Sequence, residues 1–437
     1  MSDAWVRLWG TTIGAVALDE PGGAAIFQYT DDFASSGIQV APLMMPLSRE
    51  IFSFPGLARQ SFHGLPGMLS DSLPDKFGNA VIDAWLSMQG RLAESFDFDA
   101  VKRLCYTGNR GMGALEFAPP QITIDDSTTV DMPELVELAS QILTERENFA
   151  ASLSGSEEDK RAAMRDIVRV SSSAGGARAK ALIAWNERTD EIRSGQGKAP
   201  DGFTYWLLKF DGITDNKDKE LVDPAGYGLV EFAYYLMATA AGIRMTECRL
   251  LKENGRNHFM TKRFDRSDSG DKLHMQSLCG MAHYDFNLAG AYSYEQAMQV
   301  IRRLGLGMEA IEEQFRRMAF NVIARNQDDH TKNIAFLMDR SGKWSLSPAF
   351  DVIYSWNLRG GWTNQHQMSI NGKRDNFTID DFVACEKAVS LKRGRAKDIL
   401  RKVQDTVQRW TEFAAEAGVP EERAREYALG HRKIKIE

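Results

Sequence analysis

AFNVIARNQDDHTKNIAFLMD, residues Ala319 to Asp339, begins with the apolar spacing of a helix and ends with the unbroken apolar run of a short strand. Between the two lie Asn326, Asp328, Asp329, His330, Lys332 and Asn333. A solvated turn would account for such residues, since Asp and Asn favour turns. A catalytic loop would account for them too, and the rest of the chain has to choose between the readings.

Phosphoryl transfer asks a protein for positioning and electrostatics rather than covalent chemistry. A kinase loop carries a catalytic Asp and, five positions on, a metal-binding Asn; Asp328 and Asn333 have that spacing. Asp329 is the rival for the base. A second metal-binding Asp is expected beyond a short hairpin, and NIAFLMDRSGKWSLSPAFDV supplies a strand, a turn, a second strand and then Asp351. One carboxylate, one amide oxygen and nucleotide phosphates suit the oxygen preference of Mg²⁺.

Upstream, Lys209 is the single charge in the strand-like WLLKF, and Glu231 follows on the next helical stretch, GLVEFAYYLM. Between Ser171 and Lys180, SSSAGGARAK pairs Gly175 with Gly176, which would let backbone N–H groups approach anionic oxygens. Each element alone has a bland explanation. A strand lysine can snorkel to solvent, a glycine pair can mark a turn, and a helix glutamate can simply be solvated. Their order (loop, lysine, glutamate, catalytic loop, hairpin, aspartate) is that of a kinase. GNRGMGALEF, Gly108 to Phe117, lacks the third glycine and the following helix of a dinucleotide fingerprint and reads as a turn. No P-loop, nucleophile elbow or H-E-x-x-H zinc motif occurs.

The whole chain sets the remaining bounds. At 437 residues it is long enough for two or three domains. A formal net charge of -7 gives no support for direct, non-specific nucleic-acid binding. Four scattered cysteines without a C-x-x-C pair exclude the usual zinc spacings and suggest reduced thiols. With no secretory signal at the start and no membrane-length apolar run, a cytoplasmic protein without membrane contact is expected. Before Tyr227 short strand-like runs are interspersed with two helical stretches, one starting near Pro74 and Asp75 and one at MPELVELASQILTER. Beyond about residue 275 the patterns are mostly helical, and AKDILRKVQDTVQRWTEFAAEAG reads as one helix. The segment after AWL, residues 84–86, reads as a loop.

The pattern N-x-D-x-H-x-K-N followed by LSPAFDV resembles the HipA-type bacterial serine/threonine kinase toxins. FMTKRFDR, SSAGGARAK, YTGNRGMGALEF and GLPGMLSDSLPDKFGN extend that resemblance over nearly the whole chain. It implies an α+β, atypical protein-kinase-like fold, with a mixed α/β N-terminal part and a mainly α-helical C-terminal part. An N-terminal subdomain is expected over 1–150, an ATP-binding region over 151–265 and a helical catalytic lobe over 266–437. Asp328 would be the base, with His330 and Lys332 beside it. Asn333 and Asp351 would hold Mg²⁺, while Lys209, Glu231, Gly175, Gly176 and Lys180 would meet ATP. Backbone near Lys262 to Phe264 would form the adenine hinge, where Lys262 replaces an expected acid.

Ser173, or its neighbour Ser172, falls where such kinases autophosphorylate. A phosphate there adds about -1.5 to -2 charges to a loop built for the anion of ATP. Implied partners are a protein substrate such as an aminoacyl-tRNA synthetase and a HipB-type DNA-binding antitoxin, through which nucleic acid would be met indirectly. The alternatives are a catalytically weak, ATP-binding co-repressor partner and a small-molecule kinase.

Overall fold

The computed structural model describes residues 2–20, 22–88, 99–121, 129–144, 167, 178–212 and 225–436. Near the N-terminus, β1 to β5 (Ser2–Leu8, Thr11–Leu18, Ile26–Tyr29, Phe52–Ser53 and Leu115–Ala118) form an antiparallel sheet ordered β4-β3-β2-β1-β5. Alternation along β1 turns Ala4, Val6 and Leu8 inward. They meet Val101 and Leu104 of the helix Ala100–Thr107 in one core. The sequence reading had this helix as loop. Its start is set by Asp99, whose side chain accepts from the N–H groups of Val101 and Lys102 at 2.9 and 3.0 Å.

A second antiparallel sheet comprises β6 to β10 (Lys180–Asn186, Glu191–Ser194, Thr204–Lys209, Cys248–Glu253 and Arg256–Lys262), ordered β7-β6-β8-β10-β9. The helix Tyr227–Ala240 lies across β10. Gly228 makes that approach feasible, because a Cβ there would stand 2.1 Å from the Asn257 carbonyl oxygen. The opposite side of the helix enters the C-terminal helical part, where Tyr234 packs on Trp410 with ring centroids 5.2 Å apart. The segment read as one long helix is broken between Val407 and Trp410. That break turns Trp410 inward, and its Nε1 donates to the Ala424 carbonyl at 2.9 Å.

A three-stranded sheet, β11 to β13 (His274–Ser277, Ala335–Met338 and Trp344–Leu346), carries the stretch quoted at the outset. The helix Met308–Ile323 delivers the chain to it, a 3-10 turn spans Thr331–Asn333, and β12 and β13 form the expected hairpin. Asp339 closes the hairpin turn, accepting from the Ser341 and Lys343 N–H groups at 2.8 and 3.1 Å.

One buried cluster joins these parts. Asp265, just beyond β10, accepts from Arg263 Nε and Nη2 at 2.9 and 2.8 Å and from Arg266 Nη1 at 2.8 Å. It also accepts from the Gly113 N–H at 2.7 Å. Arg263 Nη1 donates to the Gly195 carbonyl at 2.9 Å, and Arg266 donates to the carbonyls of Gly113 and Gly111 at 2.9 and 3.1 Å. The glycine-rich GNRGMG is therefore a structural turn docked on this cluster. Burial alone would raise the Asp265 carboxyl, but the two guanidiniums outweigh it and hold the group well below the usual range. Asp265→Ala would leave two guanidiniums buried without their counter-charge, and is expected to cost about 3–5 kcal/mol in denaturant unfolding.

His274 is fully buried on β11 beside Trp344, and burial pushes its imidazole down to about 4. Folded His274 stays neutral while the unfolded chain takes up a proton below about pH 6.5. This contribution is therefore intact above that pH and is lost as pH falls from 6.5 towards 4. His274→Phe should flatten the loss in stability across that window by up to ~3 kcal/mol, measured by denaturant unfolding at each pH.

Candidate active-site cleft

Strand register places two cations side by side. Lys180 on β6 is the direct cross-strand partner of Lys209 on β8, so both side chains leave the same face of the sheet. Lys209 Nζ lies 2.5 Å from Glu231 Oε1 and 2.5 Å from Asp351 Oδ1. Lys180 Nζ lies 3.3 Å from Asp75 Oδ2. Arg178 adds a contact to Glu231 Oε2 at 3.4 Å and stacks over the Tyr227 ring, 3.8 Å from its centroid. Burial alone would lower the Lys209 ammonium, but Asp351 and Glu231 outweigh it and hold it above its ordinary value. Burial likewise favours neutral Asp351, and Lys209 reverses this and keeps the carboxyl well below the usual range. Asp351 has φ 56, in the left-handed region, and its side chain is 34% exposed towards the cleft. Phe350, immediately before it, packs against Phe264 with ring centroids 5.6 Å apart.

The two adjacent acids of the opening stretch have different surroundings. Asp329 is buried and accepts from Tyr294 Oη at 2.7 Å, His366 Nδ1 at 2.8 Å and the Gln367 N–H at 2.7 Å. Burial would raise its carboxyl, yet His366 and these donors hold it below the usual range. It fixes the loop from beneath. Asp328 faces the cleft with its side chain 28% exposed. Its N–H and that of Gln327 donate to Ser355 Oγ at 3.0 and 2.7 Å. Asn333 Nδ2 donates to the Asp328 carbonyl at 2.8 Å, which commits the nitrogen side of that amide. His330 Nε2 lies 3.9 Å from Asp328 Oδ1, and Lys332 Nζ sits over the Phe286 ring, 4.4 Å from its centroid.

These groups line one cavity of about 630 Å³ that holds Lys180, Lys209, Glu231, Asp328, Asn333 and Asp351, together with His330, Lys332 and Lys262 to Phe264. Part of the backbone expected to form an adenine hinge is already hydrogen-bonded within the protein. The Lys262 N–H donates to the Glu247 carbonyl at 2.8 Å and the Arg263 N–H to the Tyr205 carbonyl at 2.8 Å, while Lys262 Nζ pairs with Asp268 at 2.7 Å. Ser172, Ser173, Gly175 and Gly176 lie outside the described residues.

The sequence reading gave no part in the cleft to its far wall, which comes from the N-terminal sheet domain through His63, Asp71, Asp75, Lys76 and Asn79. Asp71 accepts from the Ser277 N–H and Oγ at 2.7 and 2.8 Å. The Gly67 N–H donates to His283 Nε2 at 3.0 Å, and Ser61 Oγ donates to Asp285. A Cβ at Gly67 would stand 2.4 Å from the Gly280 carbonyl oxygen, so the wall is seated closely. A local signal was present in the sequence: Pro74 and Asp75 stand near a helix start, directly before the helix Lys76–Met88. Asp75 does cap, accepting from the Gly78 N–H at 2.6 Å, while its other oxygen faces Lys180.

Residues Asn333 and Asp351 offer the oxygen chemistry a magnesium ion prefers: an amide whose nitrogen is committed elsewhere and a carboxylate held ionised. Among the described residues no group of three or more His, Cys, Asp or Glu is arranged to hold a metal. No helix among them is long and apolar enough to cross a membrane.

A sheet-borne lysine paired with a glutamate on the adjoining helix, above a catalytic-type loop in a helical part, defines an α+β, kinase-like fold. The chain belongs to the HipA family. The HipA N-terminal domain matches residues 4–118, and the HipA-like C-terminal domain matches residues 172–411, more than half of the chain. Among solved structures, a chain from the Shewanella oneidensis MR-1 toxin–antitoxin complex of HipA, HipB and operator DNA is similar over 98% of this chain and 94% of its own. The identity is 17% and the TM-score 0.67. The Helicobacter pylori proinflammatory kinase CtkA overlaps 52% of this chain and 92% of its own at 12% identity, with a TM-score of 0.29, too low to equate the folds.

On the expectation that this cleft takes ATP, Lys209→Ala should weaken its binding by about tenfold or more and Glu231→Ala less, both read by calorimetric titration. A Lys209→Arg protein with wild-type affinity would count against this, since a planar fork does not replace a point charge.

Proposed function

We propose that this chain is an ATP- and Mg²⁺-dependent serine/threonine protein kinase acting as the toxin of a toxin–antitoxin pair. The observation that carries the reading is Lys209 held between Glu231 and Asp351 in the cavity that Asp328 and Asn333 also face. Lys209, with Lys180 beside it, would hold the phosphates. Asp328 would take the proton of the acceptor hydroxyl as its oxygen attacks the γ-phosphorus and the bond to ADP breaks. Magnesium held by Asn333 and Asp351 would neutralise charge on the phosphates. The role of base falls to Asp328 rather than Asp329, whose oxygens are buried and already hydrogen-bonded. His330 and Lys332 would shape the acceptor side, and the backbone at Phe264 would meet the base of the nucleotide.

A HipB-type DNA-binding antitoxin is the proposed partner, supported by family membership and by the composition of the similar Shewanella complex. Through it the chain would reach DNA indirectly. The proposed substrate is a translation component such as an aminoacyl-tRNA synthetase, and Ser173 or Ser172 the site of autophosphorylation.

Asp328→Asn should keep ATP·Mg²⁺ binding and lose turnover, whereas Asp351→Asn should lose Mg²⁺-dependent binding itself. Nucleotide titrations combined with phosphoproteomics after brief expression of wild type and the Asp328 variant check both. Wild-type expression that changes no phosphosite relative to the variant would leave the co-repressor reading standing instead.

A further inference from the structure

The Asp328 carboxylate has a donor that no quoted motif contains. Trp362 Nε1 donates to Asp328 Oδ1 at 2.7 Å. His330 Nε2 approaches the same oxygen at 3.9 Å. Among the described residues no hydrogen bond is made to Oδ2. One oxygen is anchored and the other is left to the cleft.

Trp362 is half-buried in a stretch that is otherwise largely solvent-facing, with Leu358 72% exposed. The contact is nonetheless built into the fold. Gln367 Nε2 donates to the Trp362 carbonyl at 2.6 Å and to the Gln327 carbonyl at 3.2 Å, stapling the loop to the residue before Asp328. The Gln367 N–H donates to Asp329 Oδ1 at 2.7 Å, and the Asn357 N–H closes the loop on the Thr363 carbonyl at 3.3 Å.

Resting on the kinase reading, we propose that Trp362 is a positioning residue: it holds Asp328 by Oδ1 so that Oδ2 is presented to the acceptor hydroxyl. An indole N–H only donates, so it fixes a carboxylate without competing for the proton that carboxylate must accept. A donor on a charged acceptor makes one of the stronger hydrogen bonds, enough to select one side-chain orientation. The loop carrying Trp362 follows Asp351 and precedes the helix Ile379–Ala388, and Trp362 lines the same cleft as Asp328. The opposite role, in which the indole blocks the place of the acceptor, is less favoured because Oδ2 stays clear.

The test compares wild type, Trp362→Phe, Asp328→Ala and the double variant by ADP release over a range of ATP·Mg²⁺ concentrations, with purified aminoacyl-tRNA synthetases and dephosphorylated casein offered as acceptors. Trp362→Phe is expected to lower kcat by about tenfold or more. Its KM for ATP should stay within about twofold of wild type, the pattern of an interaction used in turnover rather than in nucleotide binding. In the Asp328→Ala background the same change should cost nothing further, because the tryptophan acts through that carboxylate. If Trp362→Phe does not fold, 3-benzothienylalanine at 362 removes the N–H at nearly unchanged shape and is read against the same expectations. A rate equal to or above wild type would overturn the inference, as would an equal loss in both backgrounds. A wild type that releases no ADP, or an Asp328→Ala protein as active as wild type, would overturn the kinase reading and this inference with it.

Discussion

The Asp265 carboxylate is the interaction on which the arrangement of the molecule depends. It is completely buried, and it holds Arg263, Arg266 and a backbone N–H of the N-terminal sheet domain at once. Through those guanidiniums it also reaches Gly195, just beyond β7 of the second sheet, and Gly111 in the N-terminal turn. A buried ion cluster is not in general a stabilising device, since desolvation opposes the Coulomb gain. What it does impose is geometry: unpaired charge inside a protein is so unfavourable that the three chain segments have one low-energy arrangement. Lys262 to Phe264 leave this cluster directly, so the back of the cleft inherits its rigidity.

The cleft is thereby a product of three modules rather than two. The central sheet contributes Lys180 and Lys209, the helical part contributes Asp328, Asn333 and Asp351, and the N-terminal domain contributes the wall around Asp71 and Asp75. Asp71 secures that wall to the start of the helix at Leu278–Ala282, whose cap residue Ser277 it contacts. Asp75 couples it to the sheet through Lys180. Helix capping and cleft formation thus share one carboxylate, which ties the local folding of the Lys76–Met88 helix to the shape of the site.

Much of this was legible in the sequence because it is local. The helix–loop–hairpin order around Asp328 and Asp351 rests on apolar periodicity and turn chemistry within about thirty residues. Lys209 and Glu231 were legible through their order along the chain. What escaped the reading was either weakly patterned or distant. The helix Ala100–Thr107 is short, and its start depends on the Asp99 side chain rather than on a long periodic run. The pairs Asp71–Ser277 and Gly113–Asp265 join residues 206 and 152 positions apart, and nothing in local spacing reports them. Trp362 reads as an ordinary loop aromatic until the fold brings its indole to Asp328. The break before Trp410 was hidden because the helical pattern continues through it, and tertiary packing of the indole decided the direction of the chain.

The paired lysines bear on how an anion would enter. Three of the basic groups described above already have a carboxylate partner: Asp75 for Lys180, Glu231 with Asp351 for Lys209, and Glu231 again for Arg178. The cleft therefore resembles an ion-exchange resin supplied in its counter-ion form rather than a bare positive funnel. An arriving phosphate would gain less from long-range attraction than the number of basic residues suggests. It would gain more from displacing a resident carboxylate over a few ångströms, where selectivity follows from shape rather than from charge.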